Sequence, residues 1–373
     1  LDIFPEHLLD AQRAPPQPIV MPEAMPPVAE GSSDLSLAWD IDSDSPELKD
    51  AGPGLRPEDT MTEAARKTLW YHFQEMLSRE AGTRQGEDPE ELHKMRVATR
   101  RMRAAERVFR KYVKNKHMKP HLDRIKQTAK VLGRVRDLDV AQEKADSYVT
   151  SHNGQGGSLG PLLSSWGTAH DDARAALIAY LDGDGFRHFK TAFAAYLDDP
   201  LPKPKRLCRE DRVVPQSLRY VVPIEVYRRL AEMRAYDAIV TSPEVELEDY
   251  HNLRIAAKRL RYTLEFFAEI LGPEASVAID QLKRLQDYLG DLQDAVVASD
   301  RLRNFWLWGS WDPPAEDKLL ATRVRPILAP GVARYHAEKQ IEIQEALDGF
   351  QDIWSAFQAP TFGEMIAKAV SIL

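Results

Sequence analysis

From Met61 onward, apolar residues recur at intervals of three and four, the period of helices with one buried face. Thr62 to Glu80 reads as the first helix, with Thr62 as its N-cap and Leu69, Phe73, Met76 and Leu77 as its apolar stripe. Asp88-Pro89-Glu90-Glu91 opens the next, with Asp88 as cap and Pro89 at the first helical position. Pro120 opens a third helix, which runs through Leu132-Gly133 towards Tyr148. A Gly-rich loop follows from Asn153 to Gly160, then helices over Leu162–Leu181 and Phe186–Tyr196. Pro200 to Lys205 breaks the chain, and the pattern resumes at Ile224–Tyr236, Leu247–Leu271 and Ala275–Asn304. Pro313-Pro314 interrupts it once more before helical segments from Ala315 to Leu373. No strand-like alternation persists, so the fold class is all-α.

Two distant segments carry nearly the same text. His93-Lys94-Met95-Arg96-Val97-Ala98-Thr99-Arg100-Arg101-Met102-Arg103 is echoed by His251-Asn252-Leu253-Arg254-Ile255-Ala256-Ala257-Lys258-Arg259-Leu260-Arg261. The shared register is His-x-x-Arg-x-Ala-x-Arg/Lys-Arg-x-Arg. Further matches follow at similar offsets: Leu132-Gly133-Arg134-Val135-Arg136-Asp137 with Leu289-Gly290-Asp291-Leu292-Gln293-Asp294, and Lys126 with Lys283. Phe186, Phe189 and Phe193 match Phe350, Ile353 and Phe357, and Arg66-Lys67 matches Arg228-Arg229. Offsets that drift only across loops indicate a tandem duplication, hence two similar helical bundles related by a pseudo-twofold axis. The bounds are 61–199 and 213–373, with 200–212 as linker.

On a helix turning about 100° per residue, His93, Arg96, Arg100, Arg103 and Arg107 fall within about 80° of one another. Ala98, Ala105, Phe109 and Tyr112 occupy the opposite, core-facing side. Like charges on one stripe repel, by roughly 0.2–0.5 kcal/mol for each close exposed pair. A chain that arranges this twice is built to hold something polyanionic. The net charge of −8 looks wrong for that task. Residues 1–60, however, carry 13 acidic and 3 basic side chains, whereas 93–136 holds 16 Lys or Arg against Glu106 and Asp123. The positive charge is concentrated where a binding surface needs it. With 10 of the 25 prolines, residues 1–60 read as an acidic disordered tail or linker that could compete for the basic surface.

Cys208 is the only cysteine, so no intrachain disulfide forms and a reducing, cytoplasmic setting is expected. The apolar runs are far shorter than the ~20 residues that span a bilayer, and the acidic, Pro-rich opening does not read as a signal peptide.

Both motif helices and both Leu-Gly-x-x-x-Asp segments resemble the CHAD family, the conserved-histidine α-helical domain, over about residues 61–360. The resemblance implies two four-helix bundles about a pseudo-twofold, with the basic helices lining a central groove or pore. It also implies binding of inorganic polyphosphate and, in some members, association with polyphosphate granules. Many relatives carry an N-terminal triphosphate-tunnel domain; nothing in residues 1–60 resembles one, so its triphosphatase activity is not carried over. The candidate ligand-binding residues are His93, Arg96, Arg100, Arg101, Arg103, Lys126, Lys130 and Arg134, with His251, Arg254, Lys258, Arg259, Arg261 and Lys283. Arginines one turn apart would meet successive phosphoryl groups. The second half departs in three places. Lys258 stands opposite Arg100, and Asp287 and Asp291 stand opposite Lys130 and Arg134.

Other roles are weaker. His93 and His251 sit among arginines, which repel a cation, so no metal or cofactor is expected. His117 and His121 straddle Pro120, which argues against a shared helical face. Asp137 and Asp294 would orient motif arginines by ion pairing, and Gly133 and Gly290 would permit close helix–helix approach. Phe305, Trp306, Trp308 and Trp311 would plug a core. The expected function is a non-enzymatic polyphosphate-binding module. The alternative is a metal-dependent phosphohydrolase acting on tripolyphosphate or polyphosphate, but no Walker A loop or carboxylate cluster for a Mg²⁺ pair is present. Nucleic acid is disfavoured because the stripes lack interleaved aromatics, and membrane association because no segment spans a bilayer.

Overall fold

The computed structural model describes residues 52–113, 115–151, 159–198, 208–209, 212–213, 216–242, 244–308 and 330–373. The chain is built from α1 (Met61–Ser78), α2 (Glu80–Gln85), α3 (Pro89–Phe109), α4 (Asn115–Ser151), α5 (Gly160–Asp182) and α6 (Asp184–Asp198). After these come α7 (Leu218–Arg234), α8 (Leu247–Phe266), α9 (Glu274–Trp308), α10 (Pro330–Asp348), α11 (Phe350–Gln358) and α12 (Pro360–Val370). Among the described residues the fold is all-helical but for two antiparallel two-residue strands, β1 (Cys208–Arg209) and β2 (Arg212–Val213), a feature the residue pattern does not disclose. Most of the linker and of the tail, the second proline-rich break, Trp311 and the Trp308 side chain lie outside the described residues.

Neighbour relations repeat. α1 packs on α3, α3 on α4 and α4 on α5; likewise α7 packs on α8, α8 on α9 and α9 on α10. The two series meet where α3 contacts α8, with Phe109 edge-on to Phe267 at 5.7 Å and 6.5 Å from Phe266. One apolar core runs through both series, and residues 47–373 form a single compact unit. A smaller core joins Ala145, Tyr148 and Trp166 to Leu302, Phe305 and Tyr335, with Tyr148 and Tyr335 4.5 Å apart. Phe305 is buried there as expected, whereas Trp306 is exposed.

Asp88 caps α3 as its sequence predicts, accepting from the Glu90 N–H at 2.8 Å, with Pro89 in the first turn. Three expectations are corrected. Thr60 rather than Thr62 caps α1, accepting from the Glu63 N–H; Thr62 is buried and donates to the Tyr112 carbonyl at 3.2 Å. α4 begins five residues before Pro120, whose missing N–H costs it only one bond near the helix end. His121 then packs tilted against Phe193 and Tyr196 at 5.1 and 5.0 Å, and burial lowers its pKa. The third correction concerns the tail, because its last residues are tied down. The Glu269 carboxylate accepts from the Gly54 and Leu55 N–H groups, Leu55 is buried, and Thr60 bridges to Ser217.

Candidate functional site

α3 and α8 turn their basic stripes toward each other. Their opposite faces are apolar, so burying Met95, Ala98, Met102 and Ala105 on one, and Leu253, Ala257 and Leu260 on the other, fixes where the arginines must point. Lys258 of α8 reports the result. Burial, with repulsion from Arg254 beside it and from Arg107, Arg100 and Arg103 across the interval, lowers its pKa to about 8. Arg100 is pushed down by burial and by Arg96, Arg261 and Arg101; Arg103 by burial, Arg107 and Arg96. Arg100 remains open to solvent although protein surrounds it.

The carboxylates near this cluster are few. Arg96 meets Asp137 of α4 at 3.3 Å, the orienting pair expected of that aspartate. Its counterpart Asp294 turns instead to Lys144 of α4 at 3.0 Å. Arg261 is held at both ends, donating to Glu265 at 2.6 Å and to Gln286 at 3.0 Å, and it lies 4.9 Å from the Tyr262 ring centre. Among the described residues Arg100, Arg103, Arg107, Arg254 and Lys258 have no ion-pair partner.

The two motif glycines face arginine side chains and not the backbone of a neighbouring helix. A methyl group built on Gly133 would lie 3.5 Å from the Arg96 Nε, and one on Gly290 would lie 3.8 Å from an Arg254 Nη. Both distances are ordinary contacts, so each glycine lies beneath the first motif arginine without being required by it. Lys126, Lys130, Gly133 and Asp137 lie within about 60° on α4, so the exposed lysines extend the stripe facing Arg96. Lys126 is 3.4 Å from Asp123. Arg134 and Lys283 are exposed.

His93 is close to Arg136, Arg100 and Arg96; burial above all, then these charges, lower its pKa, and its Nδ1 is buried without a hydrogen-bond partner. His251 instead shares a 2.7 Å hydrogen bond with Gln293, and is exposed. Arg101 departs from the stripe. It sits by α1, where the hydrogen bond from His72, with Arg101 behind it, holds the Glu75 carboxyl below its usual range. Its counterpart Arg259 is exposed.

Sequence reasoning left Arg107 off the candidate list and missed three further participants. Arg107 was visible on the stripe, but the motif repeat fails there because Glu265 stands at the matching position. Arg136, Gln286 and Gln293 gave no signal, since their roles depend on the helix packed opposite. Gln286 is buried with its Nε2 lacking an acceptor. Among the described residues no three His, Cys, Asp or Glu side chains gather as a cation site, and no helix is long and apolar enough to cross a membrane.

Comparison with known proteins places this arrangement. The fold is similar to the crystal structure of the CHAD domain from the plant Ricinus communis, with a TM-score of 0.57 at 20% identity, over 82% of this chain and 94% of that one. It is also similar to PptA from Streptomyces chartreusis, with a TM-score of 0.53 at 16% identity, over 79% of this chain and 99% of that one. No curated protein sequence matches. The CHAD domain model itself matches residues 67–303, a span holding both motif helices and the glycines behind them, and the chain belongs to that family.

Proposed function

We propose that the protein binds inorganic polyphosphate in a basic cleft between two related four-helix bundles, α1, α3, α4, α5 and α7, α8, α9, α10, and that it does so without catalysis. The observation that carries this reading is the Lys258 cluster. Five cations from two helices act on one another, and among the described residues none of the five has an ion-pair partner. Such self-repulsion is relieved by binding an anion, and a flexible polymer of phosphates at one charge per unit matches a row of guanidinium groups. The repeated neighbour order supports a pseudo-twofold across the α3–α8 contact. The α4 lysines would guide the polymer away from the centre. By this reading the protein acts in the cytoplasm, with polyphosphate granules as its destination.

Affinity would come largely from released counterions. For five neutralised charges it should fall about 100-fold when salt rises fourfold. Fluorescence or calorimetric titration with long-chain polyphosphate at two salt concentrations tests this. Salt-independent binding, or equal displacement by RNA at matched charge, would overturn it. Release of orthophosphate from tripolyphosphate with Mg²⁺ or Mn²⁺ would replace it with the phosphohydrolase reading.

A further inference from the structure

α7 buries one face and leaves the other bare. Leu218, Val222, Val226 and Met233 are buried, whereas Tyr220, Ile224 and Tyr227 stand 62%, 63% and 44% exposed. Ala231 follows at helical spacing. Beyond the helix end the Ala235 N–H still bonds the Ala231 carbonyl, and exposed Ala235 and Ala238 carry the line on. These six residues fall within about 80° of one another, an outer stripe that holds no charged side chain. The arginines bordering it are engaged within the chain: Arg228 pairs with Glu232 at 3.2 Å, and Arg234 with Asp237 at 2.7 Å. An exposed helix face ordinarily carries charge, so a bare apolar stripe of this length marks an interaction surface.

The related helix α1 lacks such a stripe. Aligned by burial, and not by the Arg66-Lys67 match, Met61, Ala65 and Leu69 answer to Leu218, Val222 and Val226. The outer line of α1 then reads Glu63, Lys67, Trp70 and Gln74. There Lys67 holds Asp59 at 2.7 Å and the Gly54 carbonyl at 3.0 Å, so the chain's own entry segment lies along it. The apolar stripe is therefore peculiar to α7 and not a need of the fold.

We propose that this stripe is the seam of a homodimer, in which α7 crosses α7 of a second copy antiparallel about a twofold axis. The occupant is read from the size gradient. The first half of the stripe is bulky and the second is alanine, so the antiparallel pairing sets Tyr220 against Ala238, Ile224 against Ala235 and Tyr227 against Ala231. Bulk meets hollow along the whole length, and no unpaired charge faces its like. At about 100 Å² for each exposed large side chain and less for each alanine, the stripe offers roughly 500 Å² per copy. A pair then buries about 1,000 Å², the size at which specific interfaces begin. The pairing goes beyond polyphosphate binding and is independent of it, because α7 meets α8 through its buried face and turns the stripe away.

Sedimentation of the full chain from about 1 to about 100 µM, the range suited to so small an interface, tests this. The mass should rise from 42.3 kDa towards twice that value. Ile224→Glu, at an exposed position where folding is not at stake, should raise the dissociation constant about 100-fold, roughly 10-fold at each of the two symmetric sites. In a Cys208→Ser background, Tyr220→Cys mixed with Ala238→Cys should form an oxidative cross-link between copies, and Tyr220→Cys alone should not. A monomer throughout would overturn the proposal and leave the stripe to another segment or another protein. A dimer untouched by Ile224→Glu, or Tyr220→Cys linking to itself, would overturn it as well. Loss of polyphosphate binding with the dimer intact would refute only the polymer as ligand.

Discussion

α3 and α8 carry the same motif yet handle charge differently. On α3 the residue one turn beyond Arg103 is Arg107, and beyond the Arg96–Asp137 pair the cations are left to repel one another. On α8 the residue one turn beyond Arg261 is Glu265, which takes that guanidinium at 2.6 Å while Gln286 takes its other edge. The packed helices extend the contrast, since α4 presents Lys126 and Lys130 where α9 presents Lys283 and Asp287. A shared motif therefore marks a shared position in the fold and not an equal store of unneutralised charge. α3 supplies unneutralised charge, and α8 supplies Arg254 and Lys258 with a third arginine already engaged.

The sharpest way to break this comparison is to strip charge from each helix in turn. Replacing Arg100 and Arg103 by glutamine should weaken polyphosphate binding by 100-fold or more at low salt, at about 1.5–3 kcal/mol for each charged hydrogen bond. Arg261→Gln should cost only about 2- to 3-fold, because its charge is already neutralised by Glu265. Equal losses in the two titrations would make the helices equivalent and end the distinction.

The complementary change gives the second half what the first has. Glu265→Arg removes the competing carboxylate and adds a cation at the position matching Arg107. Affinity should rise about 10-fold at low salt and by less as salt screens the gain. Weaker binding would mean that α8 does not face the ligand.

A smaller effect concerns pH. In the free protein the Lys258 pKa is lowered to about 8 by burial and by its arginine neighbours; a bound polyanion favours the ammonium and raises it. Binding then takes up a proton above pH 8, so affinity should fall a few-fold between about pH 8 and pH 10 and stay level below pH 7. Lys258→Arg should flatten that profile. The same dependence in Lys258→Arg would assign it to another group.

The features legible in the sequence were those set by local chemistry: helical periods, the Asp88 cap with Pro89, and the recurring basic stripe. Features that depend on a second element were not. Asp137 and Asp294 occupy one motif position, yet one meets Arg96 and the other meets Lys144, and only the packing of α4 beside α9 distinguishes them. The motif glycines read as helix contacts because nothing in their spacing says that a guanidinium will lie over them. Likewise the composition of residues 52–60 matches the acidic stretch before it. The acceptor that orders residues 54 and 55 is Glu269, more than 200 residues away in sequence.

That early tether changes what the join between the halves is for. Before its first helix begins, the chain is already fastened to the second half: Asp59 and Pro57 accept from the Leu218 and Arg219 N–H groups in the first turn of α7, the Ser217 hydroxyl donates to Pro57, and Glu58 pairs with Arg219. Beyond α3, Lys111 reaches the buried Glu225. Nicking the backbone between α6 and α7 would thus leave two fragments clasped together, with phosphate affinity intact and melting in one step.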